Sequence, residues 1–304
     1  MAEIPANTRP LDGAPPRLKT PPGATDCHMH FFLDGYSSQP GGPPIAELAT
    51  VEDYAVVQKR LGLERTVIVQ PNAYQFDNGA TLTALDRIGK EKARAVVAVS
   101  PDTSVAELER LDARGVRGAR VMNLPGGAVT IAEMKPVERL AREVGWHLIV
   151  QFNGNEIEEH LEALNSIETD YVIDHIGKFI PPAAADSRQV DEILRLLDRG
   201  NAWFKVCGCY ETSLTGGPDY ADVEAIARRI IAHAPERILW GSNWPHIGAP
   251  RGAYPDDATL LDILPDWAPA DTVRKILVDN PAQLYGFGSD RWRPQASEKP
   301  GRVP

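Results

Sequence analysis

The chain predicts an α/β fold, a single (β/α)8 TIM barrel, and three observations carry that expectation. Eight short runs rich in Val, Ile and aromatic residues recur along its 304 residues, amphipathic stretches separate them, and polar side chains gather where the runs end. Such a barrel occupies about 250 residues and builds its sites at the C-terminal ends of its strands. The structural competitor, an open doubly wound sheet that binds a dinucleotide, needs a glycine fingerprint after the first strand; none stands there.

The first run is Ala24-Thr25-Asp26-Cys27-His28-Met29-His30-Phe31. Strand alternation puts His28 and His30 on one face and Cys27, Met29 and Phe31 on the other, so two imidazoles share one pocket. Further strands are expected over residues 66–70, 95–99, 118–122, 147–152, 171–175, 203–207 and 238–243. Between them, residues 104–114 read as a helix with Ser104 as N-cap and Val105, Leu108 and Leu111 on one face, and residues 220–234 as another. Two clusters, Pro40-Gly41-Gly42-Pro43-Pro44 and Pro125-Gly126-Gly127, are either tight surface turns or βα loops shaping a pocket mouth. The division is a Pro-rich N-terminal extension over 1–22, the barrel over 23–287 and a flexible C-terminal tail over 288–304. Neither end is expected to pack.

Composition narrows the function. With 43% hydrophobic residues the chain can bury a sizeable core, and it has no apolar run long enough to span a bilayer. A net charge of −10 argues against nucleic-acid and anionic-membrane partners, so an anionic ligand must meet locally concentrated Arg, Lys and His. The first five residues lack the pattern of a secretory signal. Three cysteines, Cys27, Cys207 and Cys209, make no disulfide framework, and a cytoplasmic setting is expected. Nothing in the sequence specifies an oligomeric state.

The strand ends offer His28 and His30, Gln70 with Asn72, Arg120, Gln151, His175, Lys205, and Asn243 with Trp244 and His246. Each buried polar group costs stability unless paired, so their accumulation at one end of a barrel marks a site. Asp174, next to His175, is expected to face the opposite way and tie a helix or loop to the barrel exterior. Lys205 has a second reading, in which it snorkels to solvent. His147, His160 and His233 are expected in surface or packing positions.

His28-Met29-His30, Ile173-Asp174-His175 and Trp240-Gly241-Ser242-Asn243-Trp244-Pro245-His246, in this order, resemble the amidohydrolase superfamily, in its group containing 2-pyrone-4,6-dicarboxylate hydrolases. The likeness runs over about residues 21–287. Leu124-Pro125-Gly126-Gly127-Ala128-Val129, Gln151-Phe152-Asn153-Gly154-Asn155 and His175-Ile176-Gly177-Lys178-Phe179 extend it toward lactone isomerases of that group. The resemblance implies an amidohydrolase-type barrel and a sugar-acid lactone isomerase. Its reaction would interconvert aldarolactones, galactaro-1,5-lactone to 1,4-lactone in type, by intramolecular acyl transfer. The hydrolases of the superfamily generally end the last strand with Asp, as a metal ligand or a base for water; here that position is Asn243. An amide takes no proton at neutral pH and is a poor zinc ligand. The expectation is a site with no metal or other cofactor, with zinc at His28, His30 and His175 as the alternative.

Lactone isomerisation requires a substrate hydroxyl to attack the ring carbonyl, an oxyanion to form and the old ring oxygen to leave. Because the nucleophile is tethered, oxyanion donors and one proton shuttle suffice. His28, His30 and His175 are assigned to these tasks without division of roles, and Asn243 completes the catalytic set. Arg120 is expected to clamp the free carboxylate of a small anionic lactone, with Lys205 assisting. Asn72, Gln151 and Asn243 would read hydroxyls, and Trp244 and His246 would line the substrate. Two rivals are a hydrolase that opens a carboxylated lactone and a non-catalytic sugar-acid binding barrel.

Overall fold

A computed structural model describes residues 4–288. Eight strands form one parallel sheet in sequential order: β1 Thr25–Met29, β2 Arg65–Val69, β3 Ala93–Val97, β4 Val116–Met122, β5 His147–Gln151, β6 Tyr171–Ile173, β7 Ala202–Cys207 and β8 Ile238–Gly241. The helices that follow them are α1 Val51–Leu61, α2 Gly79–Ile88, α3 Val105–Arg114, α4 Met134–Glu143, α5 Ile157–Asn165, α6 Arg188–Asp198, α7 Ala221–His233 and α8 Asp257–Asp262. The fold is the expected barrel.

Its layers follow from period-2 alternation. Val67, Val69, Val96, Ile149, Val172, Trp203 and Leu239 form an inner cluster, while Ile68, Val97, Val121, Leu148, Ile173, Phe204 and Trp240 belong to the larger core beneath the helices. The C-terminal helix Asn280–Tyr285 contributes Leu284 and Tyr285 to the inner cluster, and Arg94 on β3 donates to the Tyr285 and Gly286 carbonyls at 3.0 and 2.8 Å. That end of the barrel is plugged. Ser104 caps α3 by accepting from the Glu107 amide at 3.2 Å, as its position before an apolar face predicts.

The ring closes just past β8. The Asn243 amide donates to the His28 carbonyl and the His30 amide donates to the Trp244 carbonyl, both at 2.8 Å, with Met29 bridged in parallel to Trp244. Gly241 makes this approach possible, because a Cβ there would stand 2.5 Å from His28 Cβ. Gly241→Ala is therefore expected to cost about 1–3 kcal/mol by overpacking the seam, measured as a lower urea midpoint at unchanged slope. An unaltered midpoint would show that the seam has slack.

Two sequence expectations need correction. β1 pairs Asp26 with Thr66 and then Met29 with Ile68, so one extra residue is accommodated. This bulge breaks the alternation, and Cys27 joins the inner cluster instead of facing away from the histidines. Residues 4–22 form no helix or strand, yet they pack: Thr8 donates through N and Oγ1 to Glu47 at 3.1 and 2.6 Å, and the Arg17 amide donates to Asp262 at 2.9 Å. Their polar groups find partners on the barrel loops, which composition alone does not register. Of the expected tail, residues 289–304 lie outside the described residues. Among the described residues, no helix is long and apolar enough to cross a membrane.

Candidate active site

The seam holds the first histidines in place. Asp26, fully buried, accepts from the His28 and Ser242 amides at 3.0 Å each, from Ser242 Oγ at 2.6 Å and from Tyr54 OH at 2.9 Å. One carboxylate thus staples β1 to the β8 end. Burial pushes its pKa up to about 6 against these donors.

Hydrogen-bond partners fix the imidazole protons. His30 Nδ1 lies 2.7 Å from the Val69 carbonyl, an acceptor only, so Nδ1 carries hydrogen. Burial, then Arg120, lowers the His30 pKa to about 3, leaving Nε2 as an acceptor. His28 Nε2, 3.2 Å away, supplies the proton between them, and His28 Nδ1 then accepts from Lys205 Nζ at 3.2 Å. Burial also holds His28 neutral, well below its ordinary pKa.

Asp174 is central to the site, contrary to its expected outward placement. Val172 on β6 faces inward, so alternation places Asp174 inward as well. Its Oδ1 is 3.2 Å from His28 Nδ1 and 3.3 Å from Lys205 Nζ, and its Oδ2 is 3.0 Å from His175 Nδ1. Burial alone would raise this carboxyl's pKa, but the charge around it, with Lys205 Nζ at 3.3 Å and His175 Nδ1 at 3.0 Å, holds it well below the usual range. His175 itself lies beyond the strand. Left-handed backbone at His175 and Ile176, with φ of 51° and 52°, turns its ring back against His28, centroids 4.7 Å apart. Gly208 leaves room for it, since a Cβ there would meet His175 Cδ2 at 2.7 Å. Lys205 is fully buried with its ammonium inside the barrel, which removes the snorkelling alternative.

Arg120 reaches the same end of the barrel from β4. Its Nη1 donates to the Gln70 carbonyl at 2.6 Å and its Nη2 to Gln151 Oε1 at 3.1 Å, while Nε is buried without a hydrogen-bond partner among the described residues. Gln70, Asn72, Gln75, Arg120 and Met122 line a small cleft. The Gln70 side chain is spent on the loop, donating to the Gln75 and Asp77 carbonyls at 3.2 and 2.8 Å. The two Gly-Pro clusters belong to the mouth: Gln75 Nε2 donates to the Gly126 carbonyl at 2.8 Å, and a Cβ on Gly42 would stand 2.5 Å from the Ala73 carbonyl.

Around Asn243 the sequence reading missed most of the network. Asn243 Nδ2 donates to Tyr210 OH at 2.8 Å and to Glu211 Oε1 at 2.9 Å. Glu211 also pairs with Lys178 and lies 3.9 Å from His175 Nε2. Burial would raise its pKa, but His175, Lys178 and Asn243 outweigh it and hold the carboxyl below its ordinary range. Tyr210 and Glu211 sit in the short turn after β7, a strand end like the others, and that position was the available signal. His246 does not line the cleft; it stands behind Tyr210, 3.2 Å from its hydroxyl, and is tied to Asp257 at 3.0 Å. Trp244 is also misplaced by the sequence reading. Its ring packs on Phe31 and Tyr54 beneath α1, because the seam residue after Asn243 faces outward. His147 packs at the plugged end on Tyr285, His160 on Phe152, and His233 pairs with Asp198.

Among the described residues, His28, His175 and Cys207 form a buried cluster able to hold a metal ion, with ligand atoms within 4.8 Å of one another. In the metal-free chain burial and then Asp174 push the Cys207 thiol well above its ordinary pKa, the Lys205 ammonium stands 3.2 Å from His28 Nδ1, and Asn243 turns its amide donors to other partners.

An inward histidine pair on the first strand, an Asp-His pair after the sixth and a barrel-closing polar residue after the eighth define the class: the chain belongs to the Amidohydrolase family, whose profile matches residues 25–287. It is 44% identical to D-galactarolactone isomerase of Agrobacterium fabrum over 94% of this chain and 97% of that one. It is also 34% identical to a 2-pyrone-4,6-dicarboxylate hydrolase of Comamonas testosteroni, over 89% and 92%. The apo crystal structure of an Agrobacterium tumefaciens protein, 43% identical, superposes with a TM-score of 0.88 over 92% of this chain and 99% of the other.

Proposed function

We propose that this protein is a sugar-acid lactone isomerase that converts an aldarolactone of the galactaro-1,5-lactone type to the 1,4-lactone by intramolecular acyl transfer, without a resident metal. The observation that carries this reading is Asn243, an amide pinned by Tyr210 and Glu211 where a hydrolase needs a base for water. The likeness to D-galactarolactone isomerase supports it. The partner is then a small anionic lactone, in a cytoplasmic setting.

In this mechanism the hydroxyl on C4 attacks the C1 carbonyl and its proton passes to His175 Nε2. The Asp174 carboxylate, 3.0 Å from Nδ1, stabilises the imidazolium that forms. The tetrahedral carbon expels the C5 oxygen, which takes the proton back. No water is consumed. Arg120 clamps the distal carboxylate, and Lys205 and His28 place positive charge and a polarised imidazole beneath the reacting carbonyl.

An NMR time course with galactaro-1,5-lactone, with and without chelator and paired with elemental analysis, tests the whole reading. The 1,4-lactone should form at the same rate under both conditions, at well under one metal per chain. Open-chain acid as the main product would favour hydrolysis, stoichiometric zinc whose removal stops turnover would replace the metal-free reading, and no change in the lactone would leave a binding protein. Asn243→Asp places a second carboxylate against Glu211 and a potential base near His175. Slower isomerisation and a larger fraction of open-chain diacid are expected; an unchanged product ratio would remove Asn243 from the choice of reaction.

A further inference from the structure

Asn243 is held from two sides by groups the reaction does not itself require. The Glu211 carboxylate, paired with Lys178, can only accept, so the atom facing it at 2.9 Å is the amide nitrogen. The second amide hydrogen goes to Tyr210 OH at 2.8 Å. That hydroxyl lies 3.2 Å from His246 Nδ1, and His246 Nε2 faces Asp257 Oδ1 at 3.0 Å. Because the Asp257 carboxylate also accepts only, His246 carries hydrogen on Nε2, and in the neutral imidazole Nδ1 accepts from Tyr210. Both amide hydrogens of Asn243 are committed outward, and only its carbonyl oxygen remains.

We propose that Glu211, Tyr210, His246 and Asp257 are positioning residues that lock the Asn243 amide as an acceptor toward the substrate, so that Asn243 Oδ1 receives a hydrogen bond from a lactone hydroxyl and cannot donate to the oxyanion. This rests on the isomerase reading for the identity of the ligand, but the amide's orientation does not depend on it. Glu211 is the decisive member: replacing it by Gln supplies a group that can donate as well as accept, and frees the amide to rotate.

The test is a double-mutant cycle with a structural arm. Glu211→Gln is expected to lower kcat/KM for galactaro-1,5-lactone about 10- to 100-fold, the loss of one charge-assisted contact. In an Asn243→Ala background the same change should cost less than about 3-fold, because its effect runs through the amide. Tyr210→Phe should behave likewise and provides a second variant if Glu211→Gln folds poorly. Full additivity in both cycles would overturn the proposal. Independently, neutron diffraction from deuterium-exchanged crystals of the wild-type protein should place both Asn243 amide deuterons toward Tyr210 and Glu211. An amide oxygen facing Glu211 would overturn it as well. If wild type leaves the lactone unchanged, the isomerase reading falls while the neutron result still decides the amide's orientation.

Discussion

Asp174→Ala is expected to destabilise the protein by about 3–5 kcal/mol, because it leaves the fully buried Lys205 ammonium without a counter-charge. Urea unfolding measures this directly. Activity should fall by about 10³-fold or more, since His175 loses the negative charge that stabilises its cation. Asp174→Asn keeps the shape and separates the two effects. The pH dependence has a definite sign. The folded carboxyl sits below its ordinary pKa, so its stabilising contribution is complete above the unfolded value and is lost as pH falls through the folded one. A loss under about 1 kcal/mol in the Ala variant would show that Lys205 is neutral in the folded state.

Arg120→Met is expected to lower kcat/KM about 10² to 10³-fold with the fold intact, the loss of a bidentate carboxylate contact worth about 2–4 kcal/mol. Gln70 and Gln151 already orient the guanidinium, and its buried Nε retains a free donor for the ligand. Burial lowers its pKa without neutralising it. Steady-state kinetics on the lactone, with a circular dichroism control, checks this; unchanged kinetics would remove Arg120 from the site.

The barrel was legible because its signal is repetitive: eight apolar runs with helical spacing between them leave few other arrangements. The residues that converge were legible where they lie on or just past the C-terminal half of a strand, as His28, His30, Arg120, Gln151 and Lys205 do. Failures arose where local geometry departs from a regular strand. Counting from His175 as a strand residue inverted the parity of β6 and sent Asp174 outward, whereas β6 stops at Ile173 and His175 returns through a left-handed turn. The bulge in β1 misdirected Cys27 in the same way. Trp244 follows Asn243 in the chain, but Asn243 has left-handed backbone, φ 61°, and the Trp244 ring turns onto Phe31 and Tyr54. Tyr210 and Glu211 lie in a turn with no apolar pattern, and their role emerges only from what Asn243 touches.

The seam also bears on how the molecule comes into being. Ser242 and Asp26 are 216 positions apart, whereas adjoining strands elsewhere in the ring are joined through one intervening α-helix with short turns and loops. Closing so long a segment directly costs more chain entropy than pairing neighbouring strands, a cost that prior pairing of the strands between them would reduce. The contacts that align His28 with Asn243 are those that complete the circle. A chain in which β1 and the end of β8 have not met lacks the contacts that align His28 with Asn243, whatever else of it has formed.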